Sequence, residues 1–315
     1  MLREHLQEDY QTSGLNFDYD PKAIAPTWEY ALKSTVPDAA DFLQEFAGYA
    51  LTTDTRFEIA VWLYGPAGSG KSTVLTGLQT MLGERAGILG LADIERSSFA
   101  LANLPGKTLM ISTEQPASYM QSSHVLNAII SGEVVHVDRK FRDPIDIRTH
   151  AKIAWAMNDL PRVPDAGDGL FRRVKVVKFP KLAGPPNPEV KETVKHEGAG
   201  ILNWALAGLT RLRARGRFIV PDCVKAATED FQQTNDVPAM FIEDRCVVGP
   251  GYKVSGQTLY GEYSKWCVTS GHKPQAMNNV AREWERLGFE KKRSNRGIEY
   301  YGVGLQLVSL HSGND

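Results

Sequence analysis

The chain has 315 residues, of which 42% are hydrophobic and 23% charged; 36 Lys and Arg face 37 Asp and Glu, for a net charge of −1. That composition belongs to a folded globular protein long enough for two or three domains, and it argues against a disordered or fibrous chain. A free-standing nucleic-acid-binding module is usually far more basic, so any such contact must come from cations concentrated locally, as on the inner wall of a ring.

Residues 1–35 are polar with isolated aromatics, Phe17, Tyr19 and Trp28, and read as an extended arm or short helices. The start, MLREHLQEDYQ, lacks an apolar signal core, and no segment approaches the roughly 18 apolar residues of a membrane helix. The expectation is a cytoplasmic protein with no membrane partner. Over 38–50, Ala39, Phe42, Leu43, Phe46, Ala47 and Ala50 share one helical face, with Pro37 just before them. EIAVWLY (58–64) reads as a buried strand leading into GPAGSGKST. The helix that follows carries Val74, Leu75, Leu78, Met81 and Leu82 on one face and ends at Gly83.

TLMIS (108–112), KIAWAM (152–157) and VKVVKF (174–179) are further candidate strands, with a helix expected near 121–131 and a strand around Val134, Val135 and Val137. Strands alternating with helices predict an α/β domain with a largely parallel sheet. LAGPPNP (182–188) marks a break, and a helix is expected near 198–213. Ser255 is placed to cap a helix bearing Leu259, Tyr260, Tyr263, Trp266 and Cys267. A second helix starts near Pro274 and puts Met277, Val280, Ala281, Trp284 and Leu287 on one face. FEKKR and GIEYYGV then form a hairpin, which completes the winged-helix order. The expected divisions are 1–52 (arm and helical collar), 53–182 (core), 183–240 (helical linker or lid) and 241–315 (winged-helix-like). Cys223, Cys246 and Cys267 are scattered without ligand spacing, so neither a disulfide frame nor a zinc site is expected.

Gly65, Pro66, Ala67, Gly68, Ser69, Gly70, Lys71 and Ser72, followed by Thr73, match G-x-x-x-x-G-K-[ST] in full. Glycines let successive backbone N–H groups curl around phosphate oxygens, and the helix that follows adds its positive end. Lys71 then reaches the β- and γ-phosphates and Ser72 joins a Mg²⁺ shell. Such a loop requires an acid on a neighbouring strand. Glu114 ends an apolar run and fits this role, holding Mg²⁺ directly or through water and polarising the attacking water; a surface glutamate at a strand end is the bland alternative. Ser112 and Thr113 precede it, so there is no adjacent acid pair, and Asp93 or Glu95 is a candidate helper. Asn158 at the tip of KIAWAMNDLP is placed to sense the γ-phosphate or orient water, although Asn-Asp-x-Pro is also turn chemistry, which better explains Asp159. Arg172 and Arg173 precede a strand and could supply a guanidinium to a phosphoryl group or simply make surface ion pairs. Arg139, Lys140 and Arg142 surround Phe141 at a charged tip suited either to a phosphate backbone or to plain solvation.

The blocks PDAADFLQEFAGYAL, GPAGSGKST, TLMISTEQP, SGEVVHVDRKFRDP, KIAWAMNDLPRV and GLFRRVKVVKFP, in this order and spacing, resemble superfamily 3 helicases. The likeness is to the C-terminal half of phage and plasmid primase–helicases, related to the poxvirus helicase–primase. The resemblance implies an AAA+-like P-loop core with a parallel sheet, flanked by a small helical region and a winged-helix-like domain. It further implies a hexameric homo-oligomer hydrolysing ATP with Mg²⁺ at subunit interfaces, and a hairpin that tracks single-stranded or forked DNA, with Lys140 the strongest channel contact. In that pattern Arg172 or Arg173 is the finger that reaches across the interface. Asn127 departs from the family, standing where relatives often carry lysine. Residues 1–50 are too few for a primase module, so a separate primase or polymerase is the expected partner; the chain is either a separately encoded helicase or a trimmed one.

Lys291, Lys292, Arg293 and Arg296 cluster in the expected wing, with Glu283, Glu285 and Glu290 nearby to weaken their field. Arg211, Arg213, Arg215 and Arg217 form a second cluster. Each is either a phosphate contact or a solvated surface. Two other classes of function share the loop: an origin-binding assembly protein that does not unwind processively, and a small-molecule kinase, for which block 132–148 and the tail have no role.

Overall fold

The computed structural model describes residues 6, 8, 14–115, 123–163, 168–294 and 297–306. The chain divides into two compact units, Met1–Phe231 and Gln232–Asp315, where sequence patterning drew four segments. One apolar cluster explains the difference within the first unit. It joins Trp28 and Phe46 from the expected collar, Leu63 and Leu75 from the core, and Val194 and Leu212 from the expected linker.

Helix α1 (Pro26–Thr35) begins with proline at its first position. Its preceding residue, Ala25, has no side-chain acceptor. The Glu197 carboxylate takes that role instead, accepting from the backbone N–H of Thr27 at 3.0 Å and of Trp28 at 2.9 Å. A 3₁₀ turn at Pro37–Ala39 leads into α2 (Ala40–Ala50), whose predicted apolar face is buried. Then follow β1 (Ala60–Tyr64), α3 (Lys71–Leu82), β2 (Ala86–Ile88), α4 (Leu91–Arg96), β3 (Leu109–Gln115) and α5 (His124–Ser131). A hairpin of β4 (Val134–Arg139) and β5 (Arg142–Arg148) comes next. The unit continues with β6 (Lys152–Met157), α6 (Asp168–Arg173), β7 (Val174–Lys178), α7 (Pro188–Val194), α8 (Gly198–Arg215) and α9 (Asp222–Asn235).

The main sheet has the order β2-β3-β6-β1-β7, and every neighbouring pair is parallel. Both faces are covered, which is why its strands read as continuous apolar runs. Val61, Leu63, Ala154 and Ala156 point into one cluster, and Trp62, Ile153 and Trp155 into the other. Strand β1 starts two residues later than EIAVWLY suggests, because Glu58 adopts a positive φ of 45°. The α2 and α8 backbones approach closely through glycine. A Cβ on Gly48 would lie 2.4 Å from the Ala205 carbonyl oxygen, and one on Gly208 would lie 2.3 Å from that of Gln44.

The second unit comprises α10 (Val237–Arg245), β8 (Cys246–Ser255), α11 (Gly256–Thr269), α12 (Met277–Arg286), β9 (Glu290–Ser294) and β10 (Gly297–Leu305). Its antiparallel sheet runs β8-β10-β9. The expected helix, helix, hairpin order is present, preceded by α10 and β8. Gly249, Pro250 and Gly251 interrupt β8 and conceal it from pattern analysis. Ser255 caps α11 as anticipated, its hydroxyl accepting from Thr258 N–H at 3.1 Å. Helix α12 begins at Met277 rather than at Pro274, and Met277 is exposed, not part of the buried face. The cysteines are free, Cys223 exposed and the other two buried. No helix among the described residues is long and apolar enough to cross a membrane.

Candidate active site

In open parallel sheets, ligands bind beyond the carboxyl ends of the strands, where successive connections diverge to either side. Here β1 lies between β6 and β7, and the loop Gly65–Gly70 leaves its carboxyl end to start α3. Gly68 and Gly70 take positive φ values of 74° and 95°, which only glycine adopts cheaply. Lys71 is buried at the first turn of α3. Its ammonium donates to the carbonyls of Gly65 (2.6 Å) and Pro66 (2.7 Å), to Ser69 Oγ (3.2 Å) and to Asn158 Oδ1 (3.1 Å). Burial pulls the lysine below its usual range. A cleft of about 180 Å³ is lined by Ala67 to Ser72, Thr113, Met157 and Asn158. Gly65 and Pro66 serve it through the carbonyls that hold Lys71, and Thr73 lies deeper in α3.

The strand order accounts for these neighbours. Strand β6 lies directly beside β1, so its tip brings Asn158 to the lysine. Strand β3 lies one place further out and brings Thr113 to the cleft rim. Glu114 follows in β3, but its side chain lies outside the described residues, as does that of the candidate helper Glu95. Asp93 has another use: its Oδ2 accepts from Gly90 N–H at 2.8 Å, capping α4. Pattern analysis missed Thr35 and Pro186, which flank the loop. Thr35 Cγ2 is 3.2 Å from the Cβ position of Gly70, and Pro186 Cγ is 2.8 Å from that of Gly68. Neither carries a motif signal, because contact across so many residues leaves no local pattern.

Arg172 and Arg173 end α6 at the opposite end of the strands. Ala60 pairs with Val174 and Tyr64 with Lys178, so the arginines precede the strand starts while the loop follows the strand ends. At ~3.3 Å per residue, the separation is on the order of 15 Å or more. The two arginines differ. Arg173 is largely buried, with Nη2 2.7 Å from Glu58 Oε2 and Nη1 donating to the Gly169 carbonyl at 2.9 Å. Arg172 is 68% exposed and reaches Glu58 only at 3.4 Å.

The β4–β5 hairpin turns at Lys140 and Phe141. Phe141 is fully exposed and sits at a positive φ of 59°. Lys140 and Arg142 are exposed beside it, while Arg139 donates through Nε and Nη2 to the Asp143 carbonyl at 3.0 and 2.7 Å, which pins the turn. Asn127 is partly buried and donates to Ser123 Oγ at 3.2 Å.

Other cationic clusters are partly spent on internal ion pairs. Arg211 and Arg215 both bind the buried Glu45 carboxylate and tie α8 to α2, while Arg213 and Arg217 of that cluster stay exposed. In the wing, Lys291 pairs with Glu285 at 2.8 Å and Lys292 with Glu290 at 3.0 Å, leaving Arg293 as the exposed cation with no carboxylate pair among the described residues. Arg296 lies outside the described residues.

Residues 63–173 match a family of unknown function, DUF5906. The chain is 22% identical to the candidate helicase 121R of Invertebrate iridescent virus 3, over 85% of this chain and 33% of that protein. It therefore spans about a third of that relative's length. Apo structures of the NrS-1 C-terminal region share the fold at 13% identity, with TM-scores of 0.52 and 0.53. These cover 91% and 92% of this chain and 79% and 77% of those chains. The helicase resemblance read from the sequence is thus matched by the viral relative, and the α/β architecture by solved structures.

Proposed function

We propose that this chain is the motor of a ring-forming DNA helicase that hydrolyses ATP between subunits and moves single-stranded or forked DNA with its β4–β5 hairpin during replication. The observation that carries the proposal is the placement of the phosphate loop and Arg172 at opposite ends of the parallel strands. An exposed arginine that far from its own loop is out of reach of the nucleotide held there and is available to a neighbour's, as ring assembly provides. The relative's designation as a candidate helicase supports the same reading.

In this reading Lys71 binds the β- and γ-phosphates, exchanging its carbonyl contacts for phosphate oxygens. Asn158, already 3.1 Å from that ammonium, orients the attacking water. Glu114 receives the water's proton, and Arg172 of the adjacent subunit offsets charge on the transferred phosphoryl group. The residues present fit Mg²⁺. Ser72 offers a hydroxyl beside the loop, and among the described residues no cluster of three His, Cys, Asp or Glu competes as a protein-only cage. Such a site, with one or two protein oxygens plus phosphate, is the usual one for this ion, which supplies charge neutralisation when bound. Phe141, projecting from the hairpin with Lys140 and Arg142, is suited to stack on a base while the cations follow the backbone.

The test is steady-state ATPase rate against protein concentration, with and without single-stranded DNA. The rate per subunit is expected to climb with concentration and rise again with DNA. A flat rate indifferent to DNA would mean a kinase-like monomer. Negligible turnover despite ATP-driven assembly would mean a scaffold that does not unwind.

A further inference from the structure

A second pocket of about 520 Å³ opens at the end of the strands opposite the phosphate loop. It lies where β2, β3 and β6 begin. Arg85 and Thr108 immediately precede β2 and β3, and His150 precedes β6 by two residues. Thr108 N–H donates to the Arg85 carbonyl at 2.9 Å, and Lys152 N–H to the Thr108 carbonyl at 2.9 Å. The size is that of a small-molecule site. Its lining carries Arg85, Lys107, Arg148 and His150 and no carboxylate.

Each of the three permanent cations has a carbonyl partner. Arg85 donates to Leu51 O at 2.9 Å, Lys107 to Glu84 O at 2.6 Å and Arg148 to Gly132 O at 3.0 Å. Carbonyls fix the side chains in place but leave their charge uncompensated, unlike the wing lysines. The nearby Asp54 carboxylate is 3.0 Å from Arg56. A second, independent feature is Thr108, which lines the pocket and is only 4% exposed. Its hydroxyl has no hydrogen-bond partner among the described residues. A buried hydroxyl left unpaired is costly, so a ligand oxygen is the natural partner.

The pocket also adjoins the base of the hairpin, through Ile147 and Arg148 of β5. We propose that it is a nucleic-acid phosphate site, holding a backbone phosphate of the strand whose bases meet the hairpin tip. This deepens the helicase reading and rests on it. The cations supply the electrostatic attraction and Thr108 donates to a phosphate oxygen. Interactions of this kind position a strand without reading its sequence.

The experiment is fluorescence anisotropy of labelled oligothymidine on the full chain across a salt series. Lys107→Glu, Arg148→Gln and Thr108→Val are compared with the wild type and with Lys140→Ala. For the two charge variants, the slope of log affinity against log salt is expected to fall by about 0.7 for each phosphate that the protein no longer neutralises. Thr108→Val discriminates most sharply. Removing an unpaired hydroxyl leaves the melting temperature equal or higher, yet oligothymidine binding should weaken. If the wild type binds and all three variants match it in affinity and slope, the pocket assignment is overturned while the helicase reading stands. If the variants bind DNA normally but self-associate less, the pocket takes an acidic protein group instead, and the proposal also falls. A wild type that binds no oligothymidine at any salt overturns the helicase reading and the pocket with it.

Discussion

Substituting the two adjacent arginines separately puts the trans arrangement to its sharpest test. Arg172→Ala removes a side chain that is 68% exposed and 3.4 Å from Glu58, an ion pair worth at most about 0.5 kcal/mol after solvent screening. The melting temperature should stay put. If Arg172 neutralises phosphoryl charge across an interface, turnover should nevertheless fall by roughly a thousandfold or more. Arg173→Ala should do the opposite. It removes a largely buried guanidinium 2.7 Å from Glu58 and bonded to the Gly169 carbonyl, at a cost of about 1–3 kcal/mol, which should lower the melting temperature by several degrees. The decisive assay mixes Arg172→Ala with Lys71→Ala. Each should be inactive alone, but mixed rings would contain interfaces with an intact loop on one side and an intact arginine on the other. ATPase activity should therefore reappear on mixing. An inactive mixture refutes delivery in trans. Normal turnover by Arg172→Ala, together with loss of turnover in a stably folded Arg173→Ala, refutes the choice of arginine.

Three further outcomes are expected. Phe141→Ala should leave thermal stability unchanged, since the ring touches solvent only, and weaken single-stranded DNA binding by about 1–3 kcal/mol for one missing stack, measured by anisotropy. Gly208→Ala should lower the melting temperature through overpacking of about 1–3 kcal/mol, because its methyl would lie 2.3 Å from the Gln44 carbonyl oxygen. Lys152 is pushed down to about 7, mainly by burial, with Asp54 opposing and Arg85 assisting. Its folded value lies below the unfolded one, so between about pH 7 and 10.5 the unfolded chain binds the extra proton and stability contributed by this residue rises with pH. The difference in melting temperature between wild type and Lys152→Met should carry that slope; equal pH profiles would remove the assignment.

Much of the candidate site's loop was legible before folding because its signal is local. A phosphate loop must follow a strand and open a helix, and Gly65 to Ser72 carry that demand in consecutive residues. The same holds for the helix faces of α2 and α3 and the Ser255 cap, where a periodicity or one side chain suffices. The winged-helix order was readable too, apart from β8, whose Gly-Pro-Gly interruption breaks the alternation a strand normally shows.

What tertiary structure alone decided is who meets whom. Asn158 touches Lys71 because β6 is inserted beside β1, a matter of strand order that no local pattern encodes. Arg172 and Arg173 are chemically identical in sequence; the fold leaves one mostly exposed at 3.4 Å from Glu58 and buries the other against the same carboxylate at 2.7 Å. Arg211 and Arg215 resemble a nucleic-acid patch until α2 brings Glu45 to them, and Arg85, Lys107 and Arg148 resemble scattered surface charge until three strand starts gather them around Thr108. Sequence thus specified chemistry wherever the interacting groups are near neighbours in the chain, and the fold specified it wherever packing brings distant groups together.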